Sequence, residues 1–148
     1  MNKHSIVEKT RLNSVGWLVK MISNRLDLIM KQEIKRFGLD LKQFGVLMVL
    51  FEEKGLTQTE IGKKITLPGY ATTRTIDALE KKQLIERRPD ERSRRSYRIY
   101  LTDKGHATGQ ELFIIINKIN EALESVISAT EKKQLTTILQ KILSVWFA

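Results

Sequence analysis

At 148 residues the chain is long enough to bury a core and short for several independent domains, and 41% hydrophobic with 29% charged residues excludes wholesale disorder. The absence of cysteine excludes disulfides, thiolate metal sites and thiol-based redox sensing. A net charge of +9 points to a polyanionic partner; the surplus sits in residues 1–40 (8 basic, 4 acidic) and 68–98 (9 basic, 5 acidic), while residues 99–148 are balanced with 5 of each.

Residues 1–10 are polar, and the start, which carries His4, is expected to be mobile. Over residues 13–37 the apolar side chains, among them Val15, Leu18, Ile22, Leu26, Ile29 and Phe37, recur at three-and-four spacing, which predicts one long amphipathic helix. Gly38 supplies a left-handed cap, and Asp40 with Gln43 reads as a capping box for a second helix ending near Gly55. Thr57-Gln58-Thr59-Glu60 is a second capping box and opens a short third helix, 58–65. Pro68 breaks it and starts a fourth over 69–82, which buries Ile76 and Leu79, with Ala71 and Thr72, against the third. Two short strands, 84–88 and 97–101, flank a polar loop at 89–96, a hairpin with a charged tip. Thr102-Asp103 opens a long fifth helix, and Thr130 is expected to cap a sixth. The fold class is mainly α with a small β-hairpin. No apolar run approaches the ~18 residues of a membrane span and the start is not a signal-peptide core, so a cytoplasmic location is expected.

Helix, turn, helix and basic hairpin, in that order, each meet a demand of duplex DNA. The major groove admits one α-helix, whose first turns reach base edges while the preceding helix braces the backbone. In the fourth helix those turns carry Tyr70, Thr72, Thr73 and Arg74: hydroxyls, and a guanidinium able to fork onto guanine. Arg92, Arg94 and Arg95 at the hairpin tip suit the negative potential of a narrow minor groove. Lys81, Lys82, Arg87, Arg88 and Arg98 would flank them as phosphate contacts.

On these residues the chain resembles the MarR family of dimeric winged-helix regulators over nearly its whole length. The segments that carry the likeness are residues 56–62 (LTQTEIG), 73–85 (TRTIDALEKKQLI), 90–96 (DERSRRS) and the closing 101–105 (LTDKG). The family's wing pattern, Asp-x-Arg-Asp-x-Arg, keeps Asp90, Arg92 and Arg95 but meets Ser93 where an acid is usual, which leaves an Asp90–Arg95 pairing across the hairpin. The resemblance implies one MarR-like domain over 1–148, with a winged helix-turn-helix lobe at 39–102 and dimerisation helices at 1–38 and 103–148. It implies a homodimer on an inverted-repeat operator with half-sites about 10 bp apart, Arg94 entering the minor groove, and Trp146 and Phe147 at the dimer seam. It further implies a repressor whose DNA affinity falls when a small aromatic or anionic effector binds, with Trp17, Met21 and Met48 as candidate ligand residues.

Each assignment has an ordinary counterpart. Trp17 and the methionines at helical spacing are more often core or interface filler, Tyr70 could pack inward, and arginines at a hairpin tip can simply keep an edge strand soluble. Lys132-Lys133 reads as a solvated helix face. His4 and His106 are isolated, and no nucleophile–base pair, ligand cluster or phosphate-cradling glycine loop occurs; no catalytic residue, metal or cofactor is expected. The competing reading is a winged-helix protein–protein interaction module without specific DNA binding. It calls for an apolar or acidic recognition helix, where Thr72, Thr73 and Arg74 favour DNA.

Overall fold

The computed structural model describes residues 3–148; the side chains of residues 3–5, His4 among them, and of Arg94 lie outside the described residues. The chain forms two compact units, residues 1–115 and 116–148.

In the first unit, α1 (Lys3–Leu12) occupies the stretch expected to be mobile. Ser14 ends it and caps α2 (Val15–Ile34), its side chain accepting from the Trp17 N–H at 3.3 Å. A 3-10 turn, Lys35–Phe37, closes on Gly38 at φ 66°, whose N–H donates to the Lys35 carbonyl. This is a left-handed corner that glycine adopts without Cβ strain. The capping box at Asp40 forms as expected, with Gln43 N–H donating to Asp40 Oδ1 at 2.8 Å and Asp40 N–H to Gln43 Oε1 at 3.2 Å. It opens α3 (Leu41–Glu52).

A two-residue strand not foreseen from the sequence, β1 (Leu56–Thr57), precedes α4 (Gln58–Lys64). Thr57 and Glu60 make the predicted reciprocal cap. α5 (Gly69–Lys81) follows the turn at Thr66–Pro68. Then come β2 (Ile85–Asp90) and β3 (Ser93–Leu101), longer than the strands expected; within the stretch expected to be a loop, Pro89 pairs with Tyr97 and Asp90 with Ser93 across a register shift, and Glu91-Arg92 alone joins the strands. The sheet is antiparallel in the order β1-β3-β2, with Leu56 opposite Ile99 and Ile85 opposite Leu101.

The core of this unit is mainly apolar: Ile34, Leu47, Ile61, Ile76, Leu79, Ile99 and Leu112 have no exposed surface, and Gln43, Thr72 and Thr75 are the buried polar residues among those described. Burial of each such side chain stabilises by about 1.5–3 kcal/mol. Two glycines of α6 (Asp103–Glu124) permit close packing: a Cβ on Gly105 would stand 2.0 Å from the Leu84 carbonyl oxygen, and one on Gly109 2.1 Å from the Phe51 ring. His106 meets Phe51 edge-on at 5.5 Å.

The second unit holds the end of α6 and α7 (Ala129–Trp146). The cap of α7 is Ser128, paired reciprocally with Glu131, rather than the expected Thr130. Lys132 is not merely solvated but pairs with Glu124 at 2.6 Å. Every residue of α7 is exposed, including Leu135, Ile138, Leu139, Ile142 and Trp146. No helix among the described residues is long and apolar enough to cross a membrane.

Candidate nucleic-acid interface

α5 is set by its turn. Pro68, at φ −64°, fixes the entry, and its carbonyl accepts from the N–H groups of Ala71 and Thr72, both at 3.0 Å. The N–H groups of the first helical residues have no side-chain cap, so the amino end of α5 keeps donors and a partial positive charge for an anion. Beside it a groove of about 530 Å³, lined by Gln58, Thr59, Lys63, Pro68 and Gly69 among others, runs between α4 and α5.

The helix sorts its four candidate side chains into two pairs. Tyr70 is 74% exposed and Arg74 is exposed, so the tyrosine ring does not pack inward. Thr72 is 1% exposed, with its hydroxyl donated to the Pro68 carbonyl at 3.1 Å. It packs against Gly62, where an added Cβ would stand 2.8 Å from its Oγ1, and as a base-contacting residue it is a misassignment. Helical periodicity explains this: Thr72, Thr75, Ile76 and Leu79 form the buried stripe. Thr73 is half-buried; its hydroxyl donates to the Gly69 carbonyl at 3.0 Å and accepts from Gln58 Nε2, so it is left with acceptor capacity only. Gln58 was not singled out from sequence, although its place in the first turn of the bracing helix is the signal that would have found it.

At the wing, Asp90 organises the turn. Its Oδ1 accepts from the Arg92 N–H at 3.0 Å and its Oδ2 pairs with Arg98 Nε at 3.1 Å. The expected Asp90–Arg95 pairing is thereby replaced: Arg98, on the next strand, takes the carboxylate, and Arg95 is exposed. The Arg92 N–H first, and the Arg98 guanidinium after it, hold the Asp90 carboxyl below its ordinary value. Arg98 also donates to the Gly55 carbonyl at 2.7 Å, tying the wing to the turn before β1. Arg92 is exposed, and Arg94, the expected tip residue, has its side chain outside the described residues.

The flanking cations are busier than expected. Arg87 bonds Asp77 and Glu80 of α5. Lys82 donates to the Gly38 carbonyl and, at 2.9 Å, to Gln43 Oε1. Arg88 pairs with Glu86 and lies over the Tyr100 ring at 4.3 Å. With Arg98, that makes four of the five engaged by partners within the chain, Arg88 at the surface; Lys81 is exposed. Of the candidate ligand residues, Trp17 on α2 is half-buried with Arg11 over its ring at 5.5 Å, Met21 one turn later is 46% exposed, and Met48 is half-buried on α3.

Known proteins share this arrangement. The MarR family model matches residues 39–97, from the start of α3 into β3. The transcriptional repressor MprA of Escherichia coli is 32% identical over 127 residues, covering 84% of this chain and 69% of its own. A MarR transcriptional regulator from Methanosarcina mazei superposes with a TM-score of 0.84 at 25% identity, over 90% of this chain and 96% of the other. Staphylococcus aureus MepR, in a structure of its complex with DNA, does so with a TM-score of 0.78 at 28% identity, over 89% and 98%. These relatives are transcriptional regulators. Helix-turn-helix, sheet order, wing and sequence agree, and the chain belongs to the MarR family of transcriptional regulators.

Proposed function

We propose that the chain binds duplex DNA sequence-specifically, as a homodimer, and represses transcription until a small ligand lowers that affinity. The observation that carries the reading is the exposed pair Tyr70 and Arg74 at the uncapped amino end of α5, in a fold similar to that of MepR captured on DNA. α5 enters the major groove, Arg74 forks onto a base edge and Tyr70 stacks or donates beside it. Thr73 accepts a bond where its geometry allows, and the hairpin, with Arg92, Arg94 and Arg95, follows the adjacent minor groove. Repression is supported by the character of MprA. Pairing of two copies is supported by apolar side chains left open on α2 and α7, such as Val15, Val19, Ile138 and Leu143. A hydrophobic effector with an anionic group would suit the aromatic and thioether side chains of Trp17, Met21 and Met48.

Selection of duplexes from a random pool, followed by affinity measured against salt, tests the reading. The selected sites should be inverted repeats, and log Kd should rise steeply with log salt as counterions are released. Arg74→Ala should relax base preference at one position per half-site by about 1–3 kcal/mol. A protein that selects no sequence, or whose affinity ignores salt, is instead an interaction module.

A further inference from the structure

The outer face of α5 carries carboxylates as well as its guanidinium. Asp77 and Glu80 stand three residues apart, on one side of the helix, and Asp77 follows Arg74 by nearly a turn on the exposed stripe. In a groove walled by phosphates, two bare carboxylates meet like charge, which costs affinity.

β2 supplies the countercharge. Arg87 lies two residues beyond the buried Ile85, so the pleat turns both to one face. Its Nη2 is 2.5 Å from Asp77 Oδ1 and its Nη1 donates to Glu80 Oε2, one guanidinium forking over both acids. The Arg87 side chain is 21% exposed and that of Asp77 57%, so the cation lies behind the carboxylates and they stand on the outside. A phosphate ligand needs the reverse order.

We infer that Arg87 is a positioning residue for DNA binding, which locks α5 to the wing strand and masks Asp77 and Glu80 from the DNA phosphates without touching DNA itself. The inference rests on the DNA-binding reading. Lysine is a poor substitute, since a point charge does not fork across two carboxylates.

The test compares the unaltered chain, Arg87→Gln, the double variant Asp77→Asn/Glu80→Gln, and the triple variant, on duplexes selected by the unaltered chain and on an unrelated duplex. Arg87→Gln should weaken binding to both by about 3- to 10-fold, because an unmasked charge acts on neighbouring phosphates regardless of base. The triple variant should return to within about 3-fold of the unaltered chain, with the same salt slope. A triple variant as weak as Arg87→Gln, with a slope smaller by about 1, identifies Arg87 as a direct phosphate contact and overturns the proposal. Arg87→Gln binding like the unaltered chain overturns it too. Should thermal melting show Arg87→Gln unfolded, Arg87→Lys decides: about 2- to 3-fold weaker binding, relieved by the double substitution, supports masking, and undiminished affinity ends it. Failure of the unaltered chain to bind any duplex is distinct, because it removes the DNA-binding reading before any variant is compared.

Discussion

Single carboxylates and guanidiniums decide how the wing and the reading helix are held. Asp90 shows how much a turn can depend on one group: two-residue closure of β2 onto β3 leaves the Arg92 N–H without a ladder partner, and Asp90 accepts it while pairing with Arg98. The folded-state pKa is lowered by that N–H and by Arg98. An aspartate whose folded pKa lies below its unfolded value of about 3.9 contributes stability that is complete above that pH and is lost as pH falls through the folded value. Amide exchange at Arg92 should therefore be slow and nearly constant at neutral pH, after correction for its intrinsic pH dependence, and lose protection only in acid below about pH 4. Asp90→Asn should be less protected throughout and lack that acid step; a step persisting in the variant would assign the titration elsewhere. The same economy of partners accounts for Thr72 and Thr73, which in sequence look like two adjacent hydroxyls facing one groove. A 100° rotation per residue separates them: Thr72 falls on the stripe of Thr75, Ile76 and Leu79 and packs against Gly62, while Thr73 lies off it.

At the level of elements, legibility in sequence tracks locality. The reciprocal caps at Asp40 and Thr57 lie within four residues, and the long apolar stripes of α2 and α6 repeat often enough to fix their type, so all were readable. Ser128 fits the same Ser-x-x-Glu pattern, but the apolar stripe does not mark the first turn of α7, so it does not separate Ser128 from Thr130 as the cap. β1 was not readable: two residues become a strand only because Ile99, some forty positions on, offers a ladder to Leu56 and its carbonyl to the Gly55 N–H. The polar wing residues read as loop for the same reason, since their pairing is supplied by the opposite strand rather than by alternation. Gly105 illustrates a long-range demand carried by one missing atom. In α6 it faces the backbone where α5 hands over to β2, and an alanine Cβ would lie 2.0 Å from the Leu84 oxygen, backbone that cannot swing aside like a side-chain tip. That carbonyl already accepts from the Thr102 N–H at 3.1 Å, so retreat breaks a bond. Gly105→Ala should destabilise the fold by about 1–3 kcal/mol or more despite alanine's better helix propensity, read as a lower denaturant midpoint at unchanged slope. An unchanged or higher midpoint would mean that α6 can shift away freely.

Considered as a whole molecule, the chain leaves much of its apolar surplus exposed in a regular pattern. On α7, Leu135, Ile138, Leu139 and Ile142 follow helical spacing along one face, with exposures of 44, 56, 38 and 36%, and the Trp146 side chain at the end is 80% exposed. The proposed homodimer would cover such a stripe with a second copy, since symmetric pairing places the same patch on both sides. Pairing has a consequence for binding. On the proposed DNA-binding reading, α5 and the wing of one copy would grip a single half-site, and joining two copies would turn the second encounter into an intramolecular one, with avidity gains of about 10²–10⁴-fold. Ile138→Asp, at a position already more than half exposed, should leave the isolated chain folded because little native packing is lost, yet place a charge within the paired stripe. Sedimentation should then report monomer at micromolar protein where the unaltered chain should sediment as a dimer, and affinity for the inverted repeat should fall by about 10²-fold or more. Affinity for a single half-site should be unchanged, which separates lost pairing from lost folding. A variant that still sediments as a dimer would place the interface on another face, and one that is monomeric but binds the full repeat as tightly as before would remove the link between pairing and recognition.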